Sequence, residues 1–179
     1  MSPIDTLTWE EFLKESLEFL EISKQLDDTW CWEVKNAEVE GQSFLKYIKK
    51  LTHPLNQELI QIEYHIVYSI SYQVPVLYLQ AYANDGKPLS LEHLWTIFQH
   101  NQESKYSRED MLSILTQMDH PIYFRPFICL HPCRTSEILA ATPKSSNRVL
   151  TFISVMGPYL QLNLDNRYGL HYQDKIAEK

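Results

Sequence analysis

Cysteine is scarce in this sequence, three in 179 residues. An odd and sparse count argues against a disulfide framework and makes reduced thiols the expectation. A basic excess is missing as well. With 16 Lys and Arg against 23 Asp and Glu, the formal charge of −7 disfavours a nucleic acid or an anionic membrane as general partner and leaves neutral or basic protein surfaces. There is no apolar run long enough to span a bilayer, and the start, MSPIDTLTWEEFLKE, lacks the basic opening and apolar stretch of a secretory signal. No membrane span and a cytoplasmic location are therefore expected. Repeats, low-complexity tracts and linkers are absent too, so residues 1–179 read as one domain of ordinary globular composition, 44% hydrophobic and 22% charged.

What is present has a clear order. Residues 8–26 place Trp9, Phe12, Leu13, Leu17 and Leu20 at three- and four-residue spacings, which predicts an amphipathic helix. TWCWEVKNAEV and SFLKYIKKLT read as strands, the second with a pattern that also fits a helix, and Gly41 marks the turn between them. In QIEYHIVYSISY the residues Ile62, Tyr64, Ile66, Tyr68, Ile70 and Tyr72 alternate with mostly polar ones, a period of two that predicts one buried face. A tight connection at Gln73, Val74 and Pro75 leads into the return strand VLYLQAYA. Asn84-Asp85-Gly86 turns the chain again, and SLEHLWTIFQH follows as a helix capped by Ser90. SREDMLSILTQM is predicted as a short helix, and the prolines of PIYFRPFICLHPC predict an edge or exposed strand. RVLTFISVMGPYLQL completes the order as a helix interrupted at Gly157-Pro158. This succession implies a two-layer α+β domain, a four-stranded antiparallel meander with flanking helices.

The chemistry centres on CLHPCRTSE. Cys31, between two tryptophans, and Cys129, in FICL, suit burial as packing residues. Cys133 does not suit it. Its neighbours are polar, Pro132 holds His131 extended, and Thr135 or Ser136 can cap a short helix through SEILAA. A helix start and the adjacent Arg134 are both positive influences on a sulfur, the way a reactive cysteine is placed. Two other readings stay open. Cys129, His131 and Cys133 project to one side of an extended segment, as metal ligands would, but strand residues four apart are separated by about 13 Å. That is too far to share one zinc, and no Cys-x-x-Cys knuckle bends the chain. A hydrolytic Cys-His pair would use His131, or a base brought from His53, His65, His93, His100, His120 or His171. No metal or cofactor is expected.

YHIVYSISYQVPVLYLQAY, the Asp-Gly turn with PLSLEHLW, and PFICLHPCRTSEIL together resemble the autophagy-related protein 10 family, ubiquitin-conjugating-type enzymes of autophagy, over most of residues 60–165. The resemblance implies a two-layer ubiquitin-conjugating-enzyme-like core. It also implies an acyl transfer in which autophagy-related protein 12 is received from its activating enzyme, autophagy-related protein 7, and passed to a lysine of autophagy-related protein 5. On it, Cys133 is the acceptor, with His131 and Tyr72 beside it. The related lipid-conjugating autophagy enzyme also carries His-Pro-Cys, and a binding module with the same fold but no thioester chemistry is a further alternative. Conjugating enzymes at large carry His-Pro-Asn upstream of the cysteine. Here the tripeptide is His-Pro-Cys, and residues 121–140 contain no asparagine.

Overall fold

The computed structural model describes residues 5–100, 115–142 and 145–170. Helix α1, Trp9–Gln25, begins where Thr8 and Glu11 form a reciprocal cap. The Glu11 N–H donates to Thr8 Oγ1 at 3.2 Å and the Thr8 N–H to Glu11 Oε2 at 2.8 Å, which satisfies two otherwise orphaned donors. Phe12, Phe19 and Ile22 form its buried stripe, whereas Leu17 faces solvent. The stripe is rotated from the expected one because Glu15 lies inside, its carboxylate gripped by Arg148. The Arg148 Nη2 and backbone N–H groups reach it at 2.8 and 2.7 Å, the latter at the start of a later helix.

Strands β1 (Cys31–Val34), β2 (Ser43–Thr52), β3 (Leu59–Ser69) and β4 (Val74–Ala83) form the expected antiparallel meander. After helix α2 (Leu91–His100), β5 (Leu115–Asp119) and β6 (Pro126–Leu130) extend it to a six-stranded antiparallel sheet ordered β1-β2-β3-β4-β6-β5. Most of the helix expected in SREDMLSILTQM lies outside the described residues. Its last part, Leu115 to Met118, is strand, because those residues pair with β6. β6 is interior rather than an edge: Pro126 stands at its first position, and the proline-free remainder can pair on both sides.

One face of the sheet is covered by helices. Tyr64, Ile66 and Tyr68 of β3 point there, and two of their hydroxyls find carbonyls: Tyr64 donates to Leu160 at 2.7 Å and Tyr68 to Leu7 at 2.8 Å. Trp30 and Tyr78 are also buried, so most of the aromatic set of the meander is core. The expected single buried face of β3 is incomplete, since His65 and Val67, on the opposite face, are buried too. Around His65, the rings of His120, Tyr123 and Phe127, from the β5–β6 connection and β6, cover that second face.

The remaining helices are α3 (Thr135–Ala140), entered through a 3-10 turn at Pro132–Arg134, and α4 (Arg148–Met156), which gives way to a 3-10 turn at Gly157–Leu160 as the Gly-Pro pair predicts. Asn147 caps α4 through its side chain and donates Nδ2–H to the Glu15 carbonyl at 2.8 Å, so α1 and α4 are joined at this point. Among the described residues no helix is long and apolar enough to cross a membrane.

Candidate active site

The end of the sheet where β6 stops carries the three singled-out residues. Leu130 closes the strand, His131 remains extended (φ −60°, ψ 125°), and Pro132 opens the 3-10 turn that holds Cys133. Proline suits a first helical position because its φ is preset and no N–H is lost. The turn therefore begins earlier than expected, and its cap is His131 rather than Thr135 or Ser136. The Cys133 N–H donates to His131 Nδ1 at 3.2 Å, while Thr135 is buried within the helix. This bend also takes Cys133 out of line with Cys129, so the two do not continue along one strand face. The Arg134 side chain, expected to assist, lies outside the described residues.

Cys133 is exposed, and its Sγ lies 2.7 Å from His131 Nδ1. Because Nδ1 already accepts the Cys133 amide, the neutral ring carries its proton on Nε2, and the thiol is the donor toward Nδ1. Proton transfer across that contact would leave a thiolate beside an imidazolium. Of the histidines considered as distant bases, His53 caps its own turn and His93 bonds Ser90, while His65 bonds His120. His100 has no described side chain and His171 lies outside the described residues.

Tyr72 is not in the core. β3 ends at Ser69, and residues 70–73 form the turn, closed by the Gln73 N–H to the Ser69 carbonyl at 2.7 Å, with Gln73 at φ +53°. Ile70 and Tyr72 are 59% and 47% exposed. The alternation thus runs two residues past the strand it describes. The turn brings the Tyr72 ring to 6.3 Å from His131, nearly edge-on at 76°, so Tyr72, His131 and Cys133 occupy one corner.

The other cysteines part company. Cys129 is fully buried, and burial pushes its thiol up to about 12, which removes it as a nucleophile near neutral pH. Cys31 is exposed, contrary to the packing expectation, because β1 is an edge strand and its Trp neighbours turn to the other face. Sequence reasoning gave no special weight to His65 and His120, yet both are fully buried and bonded to each other at 3.0 Å.

The family model described as "Autophagocytosis associated protein, active-site domain" matches residues 11–167. A human protein, "Ubiquitin-like-conjugating enzyme ATG10", is 31% identical over 88% of this chain and 90% of its own length. The chain belongs to the ATG10 family. A protein of the same name from Arabidopsis thaliana is 35% identical over 54% of this chain and 43% of its own. "Crystal structure of Autophagic E2, Atg10" superposes with a TM-score of 0.56 at 17% identity, covering 89% of this chain and 99% of that one, which bears out the α+β conjugating-enzyme fold. Membership makes the chain an E2-like transferase of autophagy that acts through a thioester, with ubiquitin-like modifiers and their targets as partners.

Proposed function

We propose that Cys133 accepts autophagy-related protein 12 as a thioester from autophagy-related protein 7 and that the chain, acting in the cytoplasm as one conjugating domain, passes it to a lysine of autophagy-related protein 5. The observation that supports this most is the exposed Cys133 Sγ at 2.7 Å from His131 Nδ1, in the segment that carries the family's His-Pro-Cys. A reducing compartment suits the mechanism, because the free thiol is the reagent.

In the first step the thiol proton moves to His131 Nδ1, and Cys133 Sγ attacks the carbonyl carbon of the donor thioester. The tetrahedral oxyanion collapses with expulsion of the activating enzyme's thiolate, which takes up that proton from His131 Nδ1 and restores the neutral imidazole. In the second step an uncharged lysine amine attacks the new carbonyl, a proton leaves the amine, and the Cys133 thiolate departs as the isopeptide bond forms. Neither step consumes ATP or needs a metal at this enzyme. The sulfur of the loaded enzyme has no proton to give, so His131 Nδ1, which then accepts only the Cys133 N–H, can receive the amine's. Tyr72 has a hydroxyl that can donate to the oxyanion without acting as a base.

The test is incubation with activating enzyme, modifier and ATP. A modifier adduct removed by thiol reductant is expected, and Cys133→Ser should replace it with a reductant-resistant ester, because alkoxide leaves more reluctantly than thiolate. A thioester that survives Cys133→Ser but not Cys129→Ser would overturn the assignment.

A further inference from the structure

The second face of the sheet holds a chain of polar side chains that the acyl transfer does not use. The Ile122 and Tyr123 N–H groups donate to His120 Nδ1 at 3.2 and 3.3 Å, so the His120 proton resides on Nε2. It is donated to His65 Nδ1 at 3.0 Å, which puts the His65 proton on Nε2, 2.7 Å from Glu63 Oε1. Lys46 completes the sequence with an ion pair to Glu63 at 3.0 Å. Every bond has a donor and an acceptor in one consistent direction, as a buried network requires. The surrounding titratable groups are Glu33 of β1, Tyr78 of β4, Cys129 of β6, and Tyr123 and Arg125 of the β5–β6 connection.

The network spans the shortest ladder of the sheet. β3 and β4 pair continuously from Ile60↔Ala83 to Ser69↔Val74, whereas β4 and β6 pair at Tyr78↔Cys129 and Leu79↔Ile128. β5 and β6 therefore form a hairpin lightly laced to the meander. His120 lies at the turn of that hairpin and reaches across β4 to the middle of β3. From β6 the chain runs without slack through Leu130 and His131 to Pro132, whose ring fixes φ, and then Cys133. β6 thus leads directly into the turn that bears the thiol.

We propose that His120 is a positioning residue for the thioester chemistry, its hydrogen bond to His65 setting β6, and through β6 His131 and Cys133, against the meander. The proposal rests on Cys133 being the acceptor. It calls for substitutions that separate the two jobs of His120. Asparagine can keep an oxygen where Nδ1 stands and so retain the turn, but it cannot reach His65. Asparagine at position 65 likewise keeps an acceptor at the Nδ1 site facing His120, whereas leucine removes it.

Each full-length variant would be loaded with modifier and chased with free lysine, and the first-order loss of thioester followed. Loaded molecules are folded molecules, so this rate constant does not depend on the fraction of protein that folds. His120→Asn and His65→Leu are expected to discharge on the order of tenfold slower, within the ~10²-fold that a 1 Å misplacement costs, and His65→Asn to recover to within about threefold of the parent. Equal rate constants in all variants, with only the loaded fraction reduced, would make the network a stabilising feature alone and overturn the proposal. A thioester that never forms on Cys133 in the parent protein would instead refute the acceptor assignment.

Discussion

A single nitrogen, His131 Nδ1, receives both the backbone N–H and the sulfur of Cys133, at 3.2 and 2.7 Å. The histidine that shapes the turn is therefore also the one in contact with the sulfur proposed as acceptor, and the two relationships can be separated by substitution.

His131→Asn can retain a cap to the Cys133 N–H while removing the base. Loading at neutral pH should slow on the order of 10²-fold, the lower range for loss of a general base. Parental loading by His131→Asn would assign His131 to turn geometry only.

Tyr72→Phe keeps the ring against His131 and loses only the hydroxyl. Discharge to lysine should fall on the order of 10²-fold, the typical cost of one oxyanion donor, with loading affected less. Stability should stay within about 0.5 kcal/mol, since the side chain is half-exposed in a turn. Single-turnover discharge showing parental rates would remove Tyr72 from the site.

Acid should weaken the fold in two stages. Burial lowers His120 from 6.5 to about 3 and lowers His65 as well, so the unfolded chain binds their protons first. The His120 contribution is complete above about pH 6.5 and is lost as pH falls toward about 3, and that of His65 is lost in the same direction. Glu63 is held down at about 2, chiefly by the hydrogen bond from His65, so its contribution is complete above 4.5 and fades below it. The melting temperature should therefore begin to fall below pH 6.5, and that early decline should be reduced in His120→Asn. A curve identical to the parent's between pH 6.5 and 5 would contradict this.

Gly41 occupies φ +76°, and an added Cβ would stand 3.3 Å from Ile70 Cδ1. Gly41→Ala should cost about 1–2 kcal/mol from the left-handed backbone, measured by denaturant unfolding. Ile70→Ala in the same background should recover little of it, because relieving the contact does not relieve the backbone.

Legibility followed local chemistry. The period of β3, the Gly157-Pro158 break and the polar setting of Cys133 were readable because each is decided within a few residues. The alternation alone carries Tyr72 onto the buried face, because alternation does not announce where a strand stops and the Ser69-to-Gln73 turn carries no glycine. Cys31 was misread because whether a strand lies at the edge is a property of the whole sheet. His65 looked like a solvent-facing polar residue until His120, 55 positions away, closed over it. Partners so far apart in sequence leave no local pattern.

Leu7 is held at every point it offers: its side chain is buried, its carbonyl accepts from Tyr68, and its N–H donates to the Gln73 carbonyl at 2.8 Å. That last bond reaches the turn bearing Tyr72. A short extended stretch far from His-Pro-Cys in sequence thus acts as a tie rod on one wall of the corner shared by Tyr72, His131 and Cys133. A shortened version beginning at Trp9 would keep all three site residues and their helix, and would let that wall swing.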